Sequence, residues 1–252
     1  MSDGRLSAKD RIVLPLDVGS FDEAKATIKQ LKNKIGLFKV GLTLFIKEGK
    51  RLVEYLQKEV GGQRIFLDLK FHDIPETVGN AVASLTDIKF VTVHASDGET
   101  ILKAAVDAVA ERTDAGPGIL AVTVLTSLSD LELKALGVTI TARDRVLIMA
   151  QTAERAGCAG AVCSGLEARA VKEKCGHDFI VVTPGIRPAW AQIPGDDQRR
   201  VMTPGEAIRS GADYLVVGRP IYTASDMPGA AQKVAEEIEE ALQGLSAGSS
   251  SV

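Results

Sequence analysis

At 252 residues, 45% hydrophobic and 25% charged, the chain has the composition of an ordinary globular protein and length enough for one large domain or two small ones. Its 30 Lys and Arg stand against 33 Asp and Glu with no basic block, which argues against a nucleic-acid or other polyanionic partner. No apolar run is long enough to span a bilayer, and MSDGRLSAKD has no apolar segment behind its charges, so a cytoplasmic protein without a membrane partner is expected.

The first candidate strand is RIVLPLDV (11–18), with Asp17 near its end. DEAKATIKQLKNKI follows, its apolar residues spaced by three and four, the period of a helix packing one face on a core. GLFKVG (36–41) carries Lys39 and precedes the helical LFIKEGKRLVEYLQKEV. RIFLDLK (64–70) brings Asp68 and Lys70, then the turn FHDIP leads into PETVGNAVASL, where Pro75 suits a first helical turn. KFVTVHA (89–95) ends near His94 and is followed by GETILKAAVDAVAER. GILAVTVLT (118–126) leads to Thr126 and Ser127, then to ARDRVLIMAQTAERAG. CAGAVCSG (158–165) and LEARAVKEKC form a sixth pair. FIVVTPG (179–185) is followed by Arg187, a long loop and TPGEAIRSG. DYLVVGR (213–219) ends on Gly218 and Arg219 before the closing helix AAQKVAEEIEEALQG. Residues 244–252, GLSAGSSSV, are small and polar and are expected to form a flexible tail on a single domain spanning 1–243.

Strand and helix alternate throughout, which predicts a parallel sheet, and eight such units predict a closed (β/α)8 barrel. The alternative is an open doubly wound sheet, but no GxGxxG follows the first strand. The polar residues named above collect at the C-terminal ends of the strands. In a barrel those ends share one rim, so a single site accounts for all of them.

FLDLKFHDIP shows the principle. Side chains alternate along a strand, so Leu67, Leu69 and Phe71 are expected to face the helices, while Asp68 and Lys70 point into the barrel mouth beside Lys39. Asp73 falls in the turn before Pro75. A salt-bridge cluster that plugs the barrel top is the plain structural reading. Against it, burying charges costs several kcal/mol per ion before pairing, and charges kept in a cleft are more often functional. Two ammonium and two carboxylate groups in a row keep one another ionised, giving a fixed negative charge beside a proton donor. That suits a reaction that makes a carbanion and then protonates it.

VVGRP offers a second site element. Gly218 allows close backbone approach and Arg219 presents a fork for phosphate oxygens, unless they are simply a turn and a surface charge. The loop from Arg187 to Arg200, containing Gln198 and Arg199, is read either as a lid over a phosphorylated substrate or as a solvated loop. His177 is expected to be exposed, His94 to fill the mouth, and His72 to face the site or make a structural hydrogen bond. Cys158, Cys163 and Cys175 lack metal or disulfide spacing and read as reduced thiols.

FLDLKFHDIPETV resembles the DxKxxD signature of the orotidine 5′-phosphate decarboxylase suprafamily, and LDV, FKVG, VTVLTS, TPGIRP, DDQRR and VVGRPI resemble further blocks of its bacterial decarboxylases, in order from about residue 12 to 240. The resemblance implies decarboxylation of orotidine 5′-monophosphate to UMP in pyrimidine synthesis, with no cofactor and no metal. It implies that Asp17 and Lys39 contact the ribose, that Asp68 lies against the substrate carboxylate and that Lys70 protonates C6. It further implies a homodimer in which Asp73, Ile74 and Thr77 reach into the partner's site. Thr126 would hold the pyrimidine, and Gln198, Gly218, Arg219 and Arg187 the phosphate. RPAWAQIPGDDQ is longer than the resemblance leads one to expect, which makes Gln192 a rival to Gln198. Metal-dependent sugar-phosphate decarboxylases and aldolases share DxKxxD but are expected to carry a carboxylate in place of Lys39. A phosphate-binding barrel without catalysis would need a broken set, whereas Lys39, Asp68, Lys70 and Asp73 are all present.

Overall fold

The computed structural model of the protein describes residues 6–110, 116–191 and 200–249. In chain order the elements are β1 (Ile12–Pro15), α1 (Phe21–Leu31), β2 (Leu37–Gly41), α2 (Leu42–Val60), β3 (Ile65–Phe71), α3 (Pro75–Ala83), β4 (Phe90–His94) and α4 (Glu99–Ala110). There follow β5 (Gly118–Val122), α5 (Asp130–Ala135), α6 (Ala142–Arg155), β6 (Gly160–Val162), α7 (Gly165–Cys175) and β7 (Ile180–Thr183). The chain then forms α8 (Pro204–Arg209), β8 (Tyr214–Val216), α9 (Arg219–Tyr222) and α10 (Met227–Ser249).

The eight strands close into a barrel, each pairing in parallel with its neighbours in sequence, and β8 returns to β1 through Ile12↔Leu215 and Val13↔Val216. Alternation divides the apolar residues into two layers. Val13, Leu37, Phe66, Phe90, Leu120, Val182 and Tyr214 fill the barrel interior, with Phe66 and Tyr214 each meeting the Phe90 ring edge to face. Ile12, Leu14, Phe38, Val40, Leu67 and Val91 point outward and pack against Ile28, Leu52, Leu102 and other helical residues. The interior layer plugs the N-terminal half, so open space is left at the C-terminal ends of the strands.

Local chemistry starts the helices where the strands release the chain. Side-chain oxygens of Ser20 and Thr141 accept the N–H groups of Glu23 and Asp144, and Ser129 with Glu132 and Thr203 with Glu206 form reciprocal capping boxes. Pro75 opens α3 as its sequence position predicts.

The structure departs from the periodic reading in several places. Gly49 has φ 48° and ψ −131°, a conformation open to glycine, and breaks α2 into two helical pieces. α5 and α9 are short helices absent from the periodic pattern. Helical backbone in α10 continues to Ser249, beyond Gly244 where the sequence reading begins the tail. Most consequential is β3, whose ladder with β4 shifts register between Leu67 and Phe71. Lys70 lies in that shift with φ 49°, the left-handed region that costs an L-residue roughly 1–2 kcal/mol.

Candidate active site

A cavity of about 390 Å³ opens at the C-terminal mouth of the barrel. Asp17, Lys39, Asp68, Lys70, Thr126, Arg187, Gly218 and Arg219 line it, eight of the residues singled out in the sequence, contributed by the ends of β1, β2, β3, β5, β7 and β8. Pro15, Phe66, Val122, Val162 and Val216 add apolar lining. Cations, carboxylates and apolar surface therefore meet in one pocket, the usual make-up of a site for a charged small molecule.

Asp68 is its electrostatic centre. Oδ2 lies 3.0 Å from Lys39 Nζ and Oδ1 lies 2.9 Å from Lys70 Nζ, with the Asp68 side chain only 14% exposed. Burial by itself would push the Asp68 carboxyl up, but the two ammonium groups and their hydrogen bonds outweigh it and hold the carboxyl below its ordinary value. The pocket thus holds a fixed carboxylate with an ammonium on each side. Gly41 makes room for this array, since a Cβ there would stand 3.3 Å from Lys39 Nζ and 3.8 Å from Asp17 Oδ1.

Thr92, which the sequence reading did not single out, connects the array to β4. Fully buried, its hydroxyl accepts the Lys70 N–H at 2.8 Å and donates to Asp68 Oδ1 at 3.2 Å. The register shift in β3 removes a ladder partner from Lys70 N–H, and Thr92 replaces it. The signal in the sequence was the inward phase of KFVTVHA, which places Thr92 between Phe90 and His94.

Gly218 is the residue before α9, and its missing side chain has a visible reason: a Cβ would stand 2.9 Å from Pro15 Cγ. Tyr222, at the end of α9, donates its hydroxyl to the Pro15 carbonyl at 2.5 Å, so β1 holds the segment carrying Arg219 from two sides. The β7–α8 loop returns by pairing Ile186 with Met202, and Trp190 Nε1 donates to Glu237 of α10 at 2.7 Å. Arg200 forms an ion pair with Glu167 at 2.7 Å, the two side chains 15% and 5% exposed, and also reaches the Leu125 carbonyl at 3.5 Å. Burial pushes the Glu167 carboxyl up and Arg200 opposes the shift. Gln192 and Gln198 lie outside the described residues.

Asp73, Ile74 and Thr77 do not line the cavity of their own chain. They sit exposed on the turn after β3 and the first turn of α3, where Asp73 accepts the Ile74 N–H at 2.7 Å. Ile74 is 62% exposed, a large apolar surface for an isolated chain. His72 and His94 also stay out of the cavity; His72 pairs with Asp97, and His94 contacts Ser96. His177 is exposed, as expected, and its carbonyl accepts from Lys172. Cys158 and Cys163 are buried and Cys175 partly so, in keeping with core thiols. Among the described residues no group of three or more His, Cys, Asp or Glu side chains is placed to hold a metal ion.

The family profile described as "Orotidine 5'-phosphate decarboxylase / HUMPS family" matches residues 10–234. The chain belongs to the orotidine 5′-phosphate decarboxylase / HUMPS family. Within it, the chain is 47% identical to the orotidine 5′-phosphate decarboxylase of Desulfosudis oleivorans over 242 residues, 93% of this chain and 95% of that protein. It is 41% identical to the one of Trichlorobacter lovleyi over 243 residues, 95% of this chain and 99% of that protein. The crystal structure of orotidine 5′-phosphate decarboxylase from Lactobacillus acidophilus superposes with a TM-score of 0.78 at 36% identity, covering 90% of this chain and 98% of that one. The fold is thus the (β/α)8 barrel of this decarboxylase family.

Proposed function

We propose that the protein decarboxylates orotidine 5′-monophosphate to UMP and CO2, a step of pyrimidine nucleotide synthesis, without metal or organic cofactor. The observation that carries the reading is the Lys39–Asp68–Lys70 array in the barrel mouth, with Arg187 and Arg219 on the same cavity. Arg219 and Arg187 bind the phosphate, assisted by Gln198 and the close backbone at Gly218. Asp17 and Lys39 hold the ribose, and Thr126 holds the pyrimidine. Binding energy from the distant phosphate keeps the substrate carboxylate beside Asp68, where the two carboxylates repel. The bond from C6 to the carboxylate breaks, CO2 leaves, and the electron pair remains on C6. Lys70 stabilises this charge as an ammonium and transfers a proton to C6; water then returns a proton to the amine.

Two chains complete two sites in this reading. Asp73, Ile74 and Thr77 of each chain enter the pocket of the other, which gives the exposed turn after β3 a use. No described helix is long and apolar enough to cross a membrane, and the enzyme is assigned to the cytoplasm. The metal-dependent sugar-phosphate branch is less well supported because Lys39 puts an ammonium 3.0 Å from Asp68, where a bound cation would be repelled.

The test is the loss of absorbance of orotidine 5′-monophosphate on adding purified protein with a chelator present. Turnover supports the reading. Absence of turnover with chelator, restored by a divalent cation, would transfer the chain to the metal-dependent branch. For the shared site, Lys70→Ala and Asp73→Ala chains are mixed and allowed to exchange, and recovered activity is expected.

A further inference from the structure

A second cluster of titratable side chains lies next to the cavity and has no part in the mechanism above. His72 Nδ1 donates to Asp97 Oδ1 at 2.7 Å, and Ser96 Oγ donates to the same oxygen at 3.1 Å. The His94 ring stands edge to face against His72, 6.0 Å between centroids, and Ser96 Oγ touches its Nδ1 at 2.8 Å. Asp97 belongs to the tight turn Ala95–Asp97 after β4, whereas His72 follows β3 and directly precedes Asp73.

An exposed ion pair at such a place would contribute little. Here the His72 side chain is 67% exposed, but the Asp97 side chain is only 8% exposed and its Oδ2 is buried without a hydrogen-bond partner among the described residues. A carboxylate in that condition depends on the donors it has, and losing the His72 bond would leave it buried and less satisfied. The backbone around His72 is also loosely tied to the barrel. Lys70 is left-handed and its N–H goes to Thr92 instead of the ladder, and after the pair Phe71↔Val93 the β3–β4 ladder ends. Between there and Pro75 the Asp73 carboxylate bonds, among the described residues, only locally, to Ile74 N–H. The His72 side chain joins this turn to the turn that follows β4.

We infer that Asp97 is a positioning residue which, through His72, fixes the turn that presents Asp73, and that its effect on kcat runs through Asp73. The inference rests on the decarboxylase reading. Asp97 and His72 touch no reacting atom; they set where the Asp73 carboxylate stands, and an error of about 1 Å in such a group can cost on the order of 100-fold in rate.

The primary test is a double-mutant cycle on kcat and KM for orotidine 5′-monophosphate, with Asp97→Asn and Asp73→Ala made singly and together. Asp97→Asn is expected to lower kcat roughly 10- to 100-fold and to change KM less, because Arg187 and Arg219, the phosphate ligands of the reading above, follow β7 and β8 and not the turn after β3. In the Asp73→Ala background it should cause no further loss. Equal losses in both backgrounds overturn the inference. His72 gives an independent arm if Asp97→Asn folds poorly. His72→Asn places an amide donor where Nδ1 stands and should retain activity that His72→Ala loses; equal activity of the two overturns it.

Subunit exchange separates this inference from the reading beneath it. Mixing Lys70→Ala with Asp97→Asn should restore activity to about a quarter of the sites, since random exchange makes half the two-fold dimers hybrids with one intact site each. Recovery with Lys70→Ala plus Asp73→Ala, but none with Lys70→Ala plus Asp97→Asn, overturns the role of Asp97 and leaves the shared site standing. Failure of both mixtures despite proven exchange overturns the shared site, and the cycle then decides the inference alone.

Discussion

Replacing Lys70 by alanine and by glycine separates its chemistry from its backbone. Both variants remove the ammonium 2.9 Å from Asp68, so both lose the same ion pair and the same proposed proton donor. Loss of a general acid alone lowers the rate roughly 10²- to 10⁴-fold, and each variant should lose at least that much turnover of orotidine 5′-monophosphate. Their stabilities should differ, in a direction opposite to an ordinary strand. At φ 49° alanine retains a left-handed strain of roughly 1–2 kcal/mol that glycine escapes. Against that, glycine has greater unfolded-state entropy, which costs about 0.5–1 kcal/mol. The balance favours Lys70→Gly by about 0.5–1 kcal/mol, or about 1–4 °C in Tm for a chain of this size. Urea and thermal unfolding of the two proteins measure it. An alanine variant as stable as the glycine variant refutes the strain, and wild-type turnover by either refutes the role of Lys70.

Gly218→Ala puts a Cβ 2.9 Å from Pro15 Cγ, so one backbone must move; a stability loss of roughly 1–3 kcal/mol and a raised KM from displacement of Arg219 are expected, and unchanged KM and Tm would contradict the contact. Glu167→Ala strands the Arg200 guanidinium, 15% exposed, and should cost about 3–5 kcal/mol in urea unfolding, whereas a neutral result would show that Arg200 swings out to water. Asp68 has a folded pKa below its unfolded one, so its stabilising contribution is complete above the ordinary carboxylate range and is lost as pH falls through the lower folded value. The stability gap between wild type and Asp68→Asn should therefore shrink as pH is lowered, and a pH-independent gap would remove the two lysines as the cause.

The sequence by itself determined the barrel and the rim on which its site is built. Two periods sufficed: alternation in the strands, which sent Asp68 inward and Leu67 and Leu69 outward, and the spacing of apolar residues in the helices between them. Both are local properties of the chain, so they can be read without knowing what packs on what. The tertiary structure decided the features that depend on residues far apart. Thr92 looks like any strand threonine until the register shift of β3 against β4 leaves the Lys70 N–H in need of an acceptor. Gly218 was left between close backbone approach and a plain turn, and what approaches it is Pro15 of the first strand, 2.9 Å from where its Cβ would be. His72 was left between the site and a structural bond, and the position of Asp97 after β4 settled it on the bond. A left-handed Lys70 has no signature at all in the sequence, because its conformation is imposed by the neighbouring strand against its own preference.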